Sequence, residues 1–271
     1  MKYIITAAMI LFTGMAANAQ EKAKNSKSVG VNLGSGSLIQ IENGKDKGER
    51  KEEAAVKVGW GMLDLAINSL VDKTDYNDPE VKSFLQVPSA LQNENLFSLR
   101  QGKSINVNVW PVTVKYRIQK SNGQKIYIGS AVGLQMYNFR FSKDISYLNE
   151  TTPMVIQDSV KFSKNKLAFT YLSVPLNLVF KTRLGEKTWL VYGGGVTAGY
   201  RLSSWTKQKS DLRGKDKNHD DFNMNDFNLC ATGEIGLDDY FRLFVSYQIT
   251  PLHETFLDQH PLSIGFRFGG I

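Results

Sequence analysis

KLAFTYLSVPLNLVFKTRLGEKTWLVYGGGVTAGYRLS, residues 166–203, is the stretch that decides the fold. In each of its two arms, on either side of the turn at 182–187, apolar residues alternate with small or polar ones. The residues on the apolar side are Leu172, Val174, Leu176, Leu178, Phe180, Leu190, Tyr192, Val196, Ala198, Tyr200 and Leu202. Alternation with a period of two predicts β-strands with one apolar face. Both arms are longer than the roughly 5–6 residues of a typical strand, so they predict an unusually long hairpin.

Six further segments alternate in the same way, and with the hairpin they predict eight strands. The predicted strands are 56–70, 104–119, 125–141, 166–181, 188–203, 224–237, 240–249 and 261–268. The apolar parity changes near Gly61 and at Trp110-Pro111, and each change predicts a β-bulge. The connections alternate between long and short, which places both ends of the array on the short-turn side. We therefore predict an all-β fold, an eight-stranded antiparallel up-and-down barrel.

The four long connections are polar and rich in turn residues, so we interpret them as loops. They cover 71–103, 142–165, 205–223 and 250–260. The first contains two prolines and is interpreted as loop with one helical turn. The third carries the highest density of charge. Its lysines and arginines could contact acidic polysaccharide or lipid A phosphates, although a solvated loop tip is the favoured interpretation.

The first 19 residues have the pattern of a cleavable signal peptide. Lys2 precedes an apolar core at 4–12, and Ala17-Asn18-Ala19 forms a cleavage site. Residues 20–54 are predicted to be a periplasmic arm with a small hairpin, and residues 55–271 to be the barrel. No apolar run of membrane-helix length follows the signal, so export leaves a barrel or a secreted soluble domain.

Composition limits the function further. The single cysteine, Cys230, excludes an internal disulfide framework. The net charge of +7 would suit nucleic acid in another compartment, but export makes that partner a poor explanation. A soluble eight-stranded barrel of the lipocalin type is the structural alternative, because alternation does not say which face is inside.

Three features favour a membrane barrel over the soluble one. The strands exceed the about 9–11 residues that cross a bilayer. Charged residues and glycines share the face opposite the apolar one, where a narrow barrel has little interior room. Aromatic residues of the apolar parity lie near strand ends, as interfacial girdles do. They are Tyr116, Phe180, Tyr192, Tyr200, Phe241, Tyr247 and Phe268.

The quoted hairpin also resembles a known family. The core Tyr171-Leu172-x-Val174-Pro175-Leu176, with the segments GWGMLDLAINSL, GKSINVNV and IYIGSAVGLQMYNFRF, resembles the PorT-like outer-membrane β-barrel family of Gram-negative bacteria. The resemblance spans about 60–268. It implies an eight-stranded barrel in the bacterial outer membrane, and it implies no reaction, since the family has no common catalytic site.

Charged side chains on the inward parity form the main candidate site. These are Lys115, Arg117, Glu234, Arg242 and Arg267. They could form an internal ionic plug or line a path for charged solutes. Eight strands enclose room for side chains but not for an open channel, which favours the plug. Gly193-Gly194-Gly195 are expected to relieve crowding inside the barrel, and Cys230 to be a small packed residue.

The histidines, His219, His253 and His260, lie in predicted loops. A surface cation site is one interpretation, and solvated loop residues are the favoured one, because the spacing shows no convergent ligands. No catalytic residue, metal site or cofactor site is predicted.

The predicted function is that of a non-enzymatic outer-membrane protein with a structural or interaction role. It would act through extracellular loops and as an accessory to secretion or envelope assembly. Expected partners are outer-membrane lipid, including lipopolysaccharide, and an envelope protein, and the barrel is expected to be monomeric. The alternatives are a narrow porin-like pore for small solutes and a lipid-modifying enzyme that uses Ser, His and an acid.

Overall fold

A computed structural model describes residues 55–149, 153–186, 188–238 and 240–269. The predicted signal peptide and periplasmic arm lie outside these residues. The strands in chain order are β1 (Val56–Asp72), β2 (Leu85–Gln86), β3 (Ile105–Lys120), β4 (Gln124–Arg140), β5 (Ile145–Asn149), β6 (Pro153–Gln157), β7 (Lys164–Arg183), β8 (Trp189–Ser210), β9 (Gly214–His219), β10 (Phe227–Leu237), β11 (Arg242–Gln248) and β12 (Gln259–Gly269). One α-helix, α1 (Pro79–Phe84), lies among the described residues.

Eight of these strands close into a ring in the order β1-β3-β4-β7-β8-β10-β11-β12, and β12 pairs with β1. Every neighbouring pair in the ring is antiparallel. The predicted eight-stranded antiparallel barrel is therefore confirmed. We call the end with the short connections the short-turn end, and the opposite end the long-loop end.

The apolar residues of the strands face away from the barrel axis. Leu176, Val245 and Phe266 are 54%, 42% and 44% exposed. Residues of the opposite parity, such as Ser173 and Gln135, are buried in the lumen. A soluble barrel would have the reverse arrangement, so the outward apolar face matches the membrane prediction. Among the described residues, no helix is long and apolar enough to cross a membrane.

Both parity changes that predicted bulges are present, and a register shift accompanies the one at Trp110-Pro111. Gly61 has a φ of +72°, and around it the outward parity passes from the exposed Trp60 to Leu65. Between β3 and β4 the register shifts between Val109 and Val112. These changes keep apolar side chains outside along the whole of each strand, which a strictly regular strand could not do.

Aromatic residues cluster near strand ends on the outer surface, as predicted for interfacial girdles. Neighbouring strands bring them into contact, with ring-centroid distances of 5.3 Å, 5.1 Å and 5.2 Å in the pairs Phe180–Tyr192, Tyr200–Phe227 and Phe241–Phe266. Amphipathic rings suit the boundary between hydrocarbon and headgroups.

Two of the predicted long loops contain antiparallel strand pairs, so the loop interpretation was wrong there. Within 142–165, β5 pairs with β6, and β6 also pairs with β2. Within 205–223, β8 continues to Ser210 and pairs with β9. β9 carries polar residues on both faces, and β5 and β6 have only five residues each, so none of the three shows an apolar alternation long enough to indicate a strand. In the first long loop the predicted helical turn is α1, capped by Asp78, whose carboxylate accepts a hydrogen bond from the Glu80 amide at 2.8 Å.

The glycine run at 193–195 lies where β8 and β7 approach closely. A Cβ added to Gly195 would lie 2.1 Å from the Leu176 carbonyl oxygen, and one added to Gly193 would lie 2.3 Å from that of Leu178. Crowding is therefore the reason for these two glycines, and the nearest obstacle is the backbone of the neighbouring strand. At Gly195 the inward-facing Asn177 side chain is a further obstacle, with its Oδ1 2.5 Å from the added Cβ.

Gly195→Ala is expected to destabilise the barrel by about 1 to 3 kcal/mol, because β7 must move to admit the methyl group. The measurement is the urea midpoint of the folded barrel in detergent. Gly123→Ala is the matched control, since a Cβ at Gly123 meets no atom within 4 Å. Equal midpoints for the two variants would contradict this account.

Candidate functional site

Four charged side chains from β1, β10, β11 and β12 meet inside the barrel, and we call them the luminal ion network: Asp64, Glu234, Arg242 and Arg267. Arg267 donates from Nε to Asp64 Oδ1 at 2.6 Å and from Nη2 to Asp64 Oδ2 at 2.9 Å. Its Nη1 donates to Glu234 Oε2 at 3.2 Å, and Arg242 Nε lies 3.5 Å from the same oxygen. Carboxylates and guanidinium groups therefore alternate across the lumen.

Neutral groups complete the surroundings of this network. Asp64 Oδ2 also accepts hydrogen bonds from Asn108 Nδ2 at 3.1 Å and from Trp110 Nε1 at 2.9 Å. The Arg267 guanidinium lies over the Phe244 ring, 4.4 Å from its centroid. A buried carboxylate is tolerated when its lone pairs are occupied, and Asp64 meets that condition.

The structure brings together three of the five residues predicted for the lumen, Glu234, Arg242 and Arg267. Lys115, on the opposite side of the ring, interacts electrostatically with Glu234 and Arg242. Arg117 lies two residues nearer the short-turn end of β3 and is half-buried.

Asp64 belongs to the network but was missed from the sequence. The sequence did indicate its position, because Asp64 stands between Leu63 and Leu65, and the predicted bulge turns both leucines outward. The same parity argument that selected the other five residues would have placed this carboxylate in the lumen.

Nearer the long-loop end, polar side chains bridge strands that are not neighbours. Gln135 Oε1 on β4 accepts hydrogen bonds from Ser173 Oγ at 2.8 Å and from Asn228 Nδ2 on β10 at 3.5 Å. Tyr137 Oη lies 3.7 Å from Cys230 Sγ. Between β4 and β10 lie β7 and β8 on one side of the ring and four strands on the other, so these contacts cross the lumen. Side chains therefore fill this level of the barrel.

The long-loop end is closed by an apolar cluster, which we call the cap. Loop residues pack there onto aromatic residues of β4 and β7 that lie at the long-loop end. Buried members of the cap include Phe84, Leu96, Phe97, Phe139, Tyr147, Val155, Phe169, Tyr171, Phe222, Met224, Leu252 and Leu257. Burial of this many large side chains fixes the loops to the barrel, since each contributes on the order of 2 kcal/mol.

Two of the histidines are part of the cap region rather than solvated. His253 is 1% exposed, and its ring stacks on Tyr147 at 6.1 Å. His260 is also buried, with Nε2 2.8 Å from Asp258 Oδ1 and Nδ1 3.0 Å from the Gln248 carbonyl. Only His219 is exposed. The interpretation as solvated loop residues was therefore wrong for His253 and His260, because the last loop folds into the cap.

The environment of His253 favours the neutral imidazole. Neither ring nitrogen has a hydrogen-bond partner among the described residues. Burial lowers the pKa of His253 to about 3, and the nearby Asp72 only partly opposes this. Across the described residues, no group of three His, Cys, Asp or Glu side chains is arranged to hold a metal.

Comparison with known proteins gives a family and a set of distant structures. The model of a family described as outer membrane protein β-barrel domain matches residues 53–256. No curated protein sequence matches the chain.

Solved structures of Ail, the attachment invasion locus protein of Yersinia pestis, are similar at 11% identity with a TM-score of 0.28, covering 78% of this chain and 98% of that one. A structure of Ail in complex with the heparin analogue sucrose octasulfate is similar at 12% identity with a TM-score of 0.29, with the same coverage. Similarity at this level carries no information on function.

Asp64→Asn is expected to lower the free energy of unfolding by about 3 to 5 kcal/mol, because it leaves the buried Arg267 with only part of its counter-charge. The measurement is urea unfolding in detergent. The control is Asp211→Asn, at an exposed carboxylate, for which a change within about 0.5 kcal/mol is expected. If both variants unfold at the same urea concentration, the network does not stabilise the barrel.

The pKa of His253 predicts an acid-sensitive cap. Above about pH 6.5, the pKa of histidine in the unfolded chain, His253 is neutral in both states and does not change the free energy of unfolding. Between about pH 6.5 and pH 3 it is protonated in the unfolded chain but stays neutral in the folded cap. Stability should therefore fall by about 1.4 kcal/mol per pH unit in that window.

His253→Phe should remove this slope, and the measurement is the free energy of unfolding at pH 7 and at pH 5. His219→Phe, at the exposed histidine, serves as the control and should leave the slope unchanged. A wild-type slope that persists in His253→Phe would show that other groups cause it.

Proposed function

Because the chain belongs to the outer membrane protein β-barrel domain family, we propose that it is a closed, non-catalytic barrel that binds a partner through its long-loop end. The protein is a β-barrel of the bacterial outer membrane. Long loops of such barrels face outside and short turns face the periplasm. The part of the protein available to an external partner is then the surface of the cap and its loops.

One observation carries this proposal: the lumen is crossed by side chains at several levels. Lys181 Nζ donates to Asp238 at 2.7 Å at the short-turn end, the luminal ion network follows, and Gln135 and Tyr137 reach across higher up. The cap lies above them. Narrow barrels filled in this way leave no continuous water path.

The buried polar groups do not form an arrangement suited to catalysis. In the described residues, His260 bonds to Asp258 and to the Gln248 carbonyl, and no hydroxyl joins them. A nucleophile within hydrogen-bond reach of a base is the geometric requirement for acyl transfer. This supports a structural or interaction role over lipid modification.

The resemblance to PorT-like barrels narrows the proposal to an accessory of secretion or envelope assembly with an envelope protein as partner. The Tyr171–Leu176 segment, which carries the resemblance, lies in the wall of the barrel. Tyr171 is fully buried and its Oη donates to the Asn225 carbonyl at 3.2 Å. The Pro175 carbonyl accepts from Ser130 Oγ at 2.8 Å.

The purified barrel in a planar lipid bilayer is expected to produce no ion-conductance steps, since side chains fill its lumen. A wide porin inserted under the same conditions is the control for the assay. Discrete steps that scale with voltage would overturn the closed-barrel proposal and favour the narrow pore.

A second experiment tests the interaction role. Affinity capture from detergent-solubilised outer membranes should retain an envelope protein with the wild-type barrel. Val155→Asp places a charge in the cap, at a residue with 0% exposure, and should release that protein while the ring of strands persists. Capture of the same proteins by both baits would contradict recognition through the long-loop end.

A further inference from the structure

The ribbon formed by β7, β8 and β9 continues past the apolar band of the barrel. On β7 the outward side chains beyond the exposed Leu172 are Thr170, Ala168, Lys166 and Lys164. Lys166 lies six residues beyond Leu172, which is roughly 20 Å along a strand and roughly 15 Å along the membrane normal at the usual tilt. The outer surface of the ribbon therefore stands above the hydrocarbon.

This outer surface carries two rows of cations, which we call the cationic face. In the first row Arg140 pairs with Lys166, Lys166 with Lys207, and Lys207 with Lys217. In the second row Lys164 pairs with Lys209, and Lys209 with Lys215. Directly paired residues point to the same side of a sheet. Seven positive charges therefore share one surface.

In the described part of the chain, no carboxylate pairs with the cations of the cationic face. None of the seven cations forms an ion pair with a carboxylate there, and Asp216, which pairs with Gln208, points to the other side of the ribbon. Like charges placed opposite each other destabilise a sheet. The fold thus maintains a repulsive arrangement that a bound anion would relieve.

The titration of the lysines reflects the same repulsion. Burial, together with the charges of Lys164, Lys207, Lys217 and Arg140, lowers the pKa of Lys166 to about 8. The pKa of Lys207 is also lowered, with the charge of Lys215 as the main cause. An anion near these groups would raise both pKa values toward their ordinary range.

Trp205 orders part of the cationic face. Lys166 Nζ and Lys217 Nζ each lie 4.5 Å from the centroid of its ring. Cation–π contacts of this kind fix both ammonium groups beside the indole. The face is therefore preorganised, which lowers the entropic cost of binding an anion.

We propose that the cationic face binds phosphate groups on the saccharide of lipopolysaccharide in the outer leaflet. The proposal rests on the proposed orientation of the long-loop end. Two features favour a neighbouring lipid over a soluble polyanion: the lysines point sideways from the barrel wall, and they stand just above the apolar band. The charges are complementary to a phosphorylated sugar layer at that height.

The test is the affinity of the purified barrel for phosphorylated deep-rough lipopolysaccharide in detergent. In Lys166→Gln/Lys207→Gln/Lys217→Gln the affinity should fall on the order of 100-fold, since each lysine near an anionic surface contributes on the order of fivefold. Lys82→Gln/Lys103→Gln/Lys120→Gln removes the same charge from exposed sites and should bind within about twofold of the wild type. Wild-type binding should also weaken as salt is added.

Further measurements separate the sources of the anion and exclude misfolding. Dephosphorylated lipopolysaccharide should bind as weakly as the cationic-face variant does. Equal binding by the two triple variants, or undiminished binding of the dephosphorylated lipid, would overturn the proposal. Tighter binding of heparin, a soluble polyanion, than of lipopolysaccharide would also overturn it.

Without lipopolysaccharide, the urea midpoint of the cationic-face variant should equal or exceed that of the wild type, because repulsion is removed. A lower midpoint would contradict the repulsive arrangement. The conductance of the barrel does not depend on these lysines, so failure here would leave the closed-barrel proposal standing.

Discussion

The bidentate contact between Asp64 and Arg267 joins the first strand of the ring to the last. The two residues are direct cross-strand partners in the pairing of β1 with β12, and both are buried. Taking two charges out of water is costly, and the attraction repays the cost only where geometry and additional hydrogen bonds are good. Asn108, Trp110 and Glu234 supply those bonds. The same arrangement of charges therefore joins the ends of the ring and fills the lumen at this level.

The side chains that fill the lumen change in type along the barrel axis. Near the short-turn end the lumen is ionic, above the network it is held by neutral hydrogen bonds, and at the long-loop end it is aromatic. The loops that leave β1, β4, β8 and β11 return into this last layer and bury Phe84, Tyr147, Phe222 and Leu252. They are thus extensions of the core rather than free connections. Such loops present a fixed surface, which suits recognition of a partner.

Much of this architecture could be predicted from the alternation of residues. The hairpin at 166–203 alone shows which parity is apolar, and parity then decides which side chains enter the lumen. Two regions escaped that reasoning for physical reasons. β9 has polar residues on both faces, so no apolar period marks it. The burial of His253 depends on contacts with Tyr147 and Phe84. Both residues come from other loops, so no hydrophobic pattern in the sequence around His253 indicates its burial.

The link between Asp64 and Arg267 spans 203 residues of sequence. Pairing at such a separation is slow, because the intervening chain must be ordered before the contact can form. Until β12 arrives, the carboxylate of Asp64 lacks its main counter-charge in a setting that disfavours isolated ions. An incomplete barrel, for example one truncated before Arg267, would keep that penalty and expose the unpaired edge of β1. Closure of the ring through this ion pair therefore requires a chain that extends at least to Arg267.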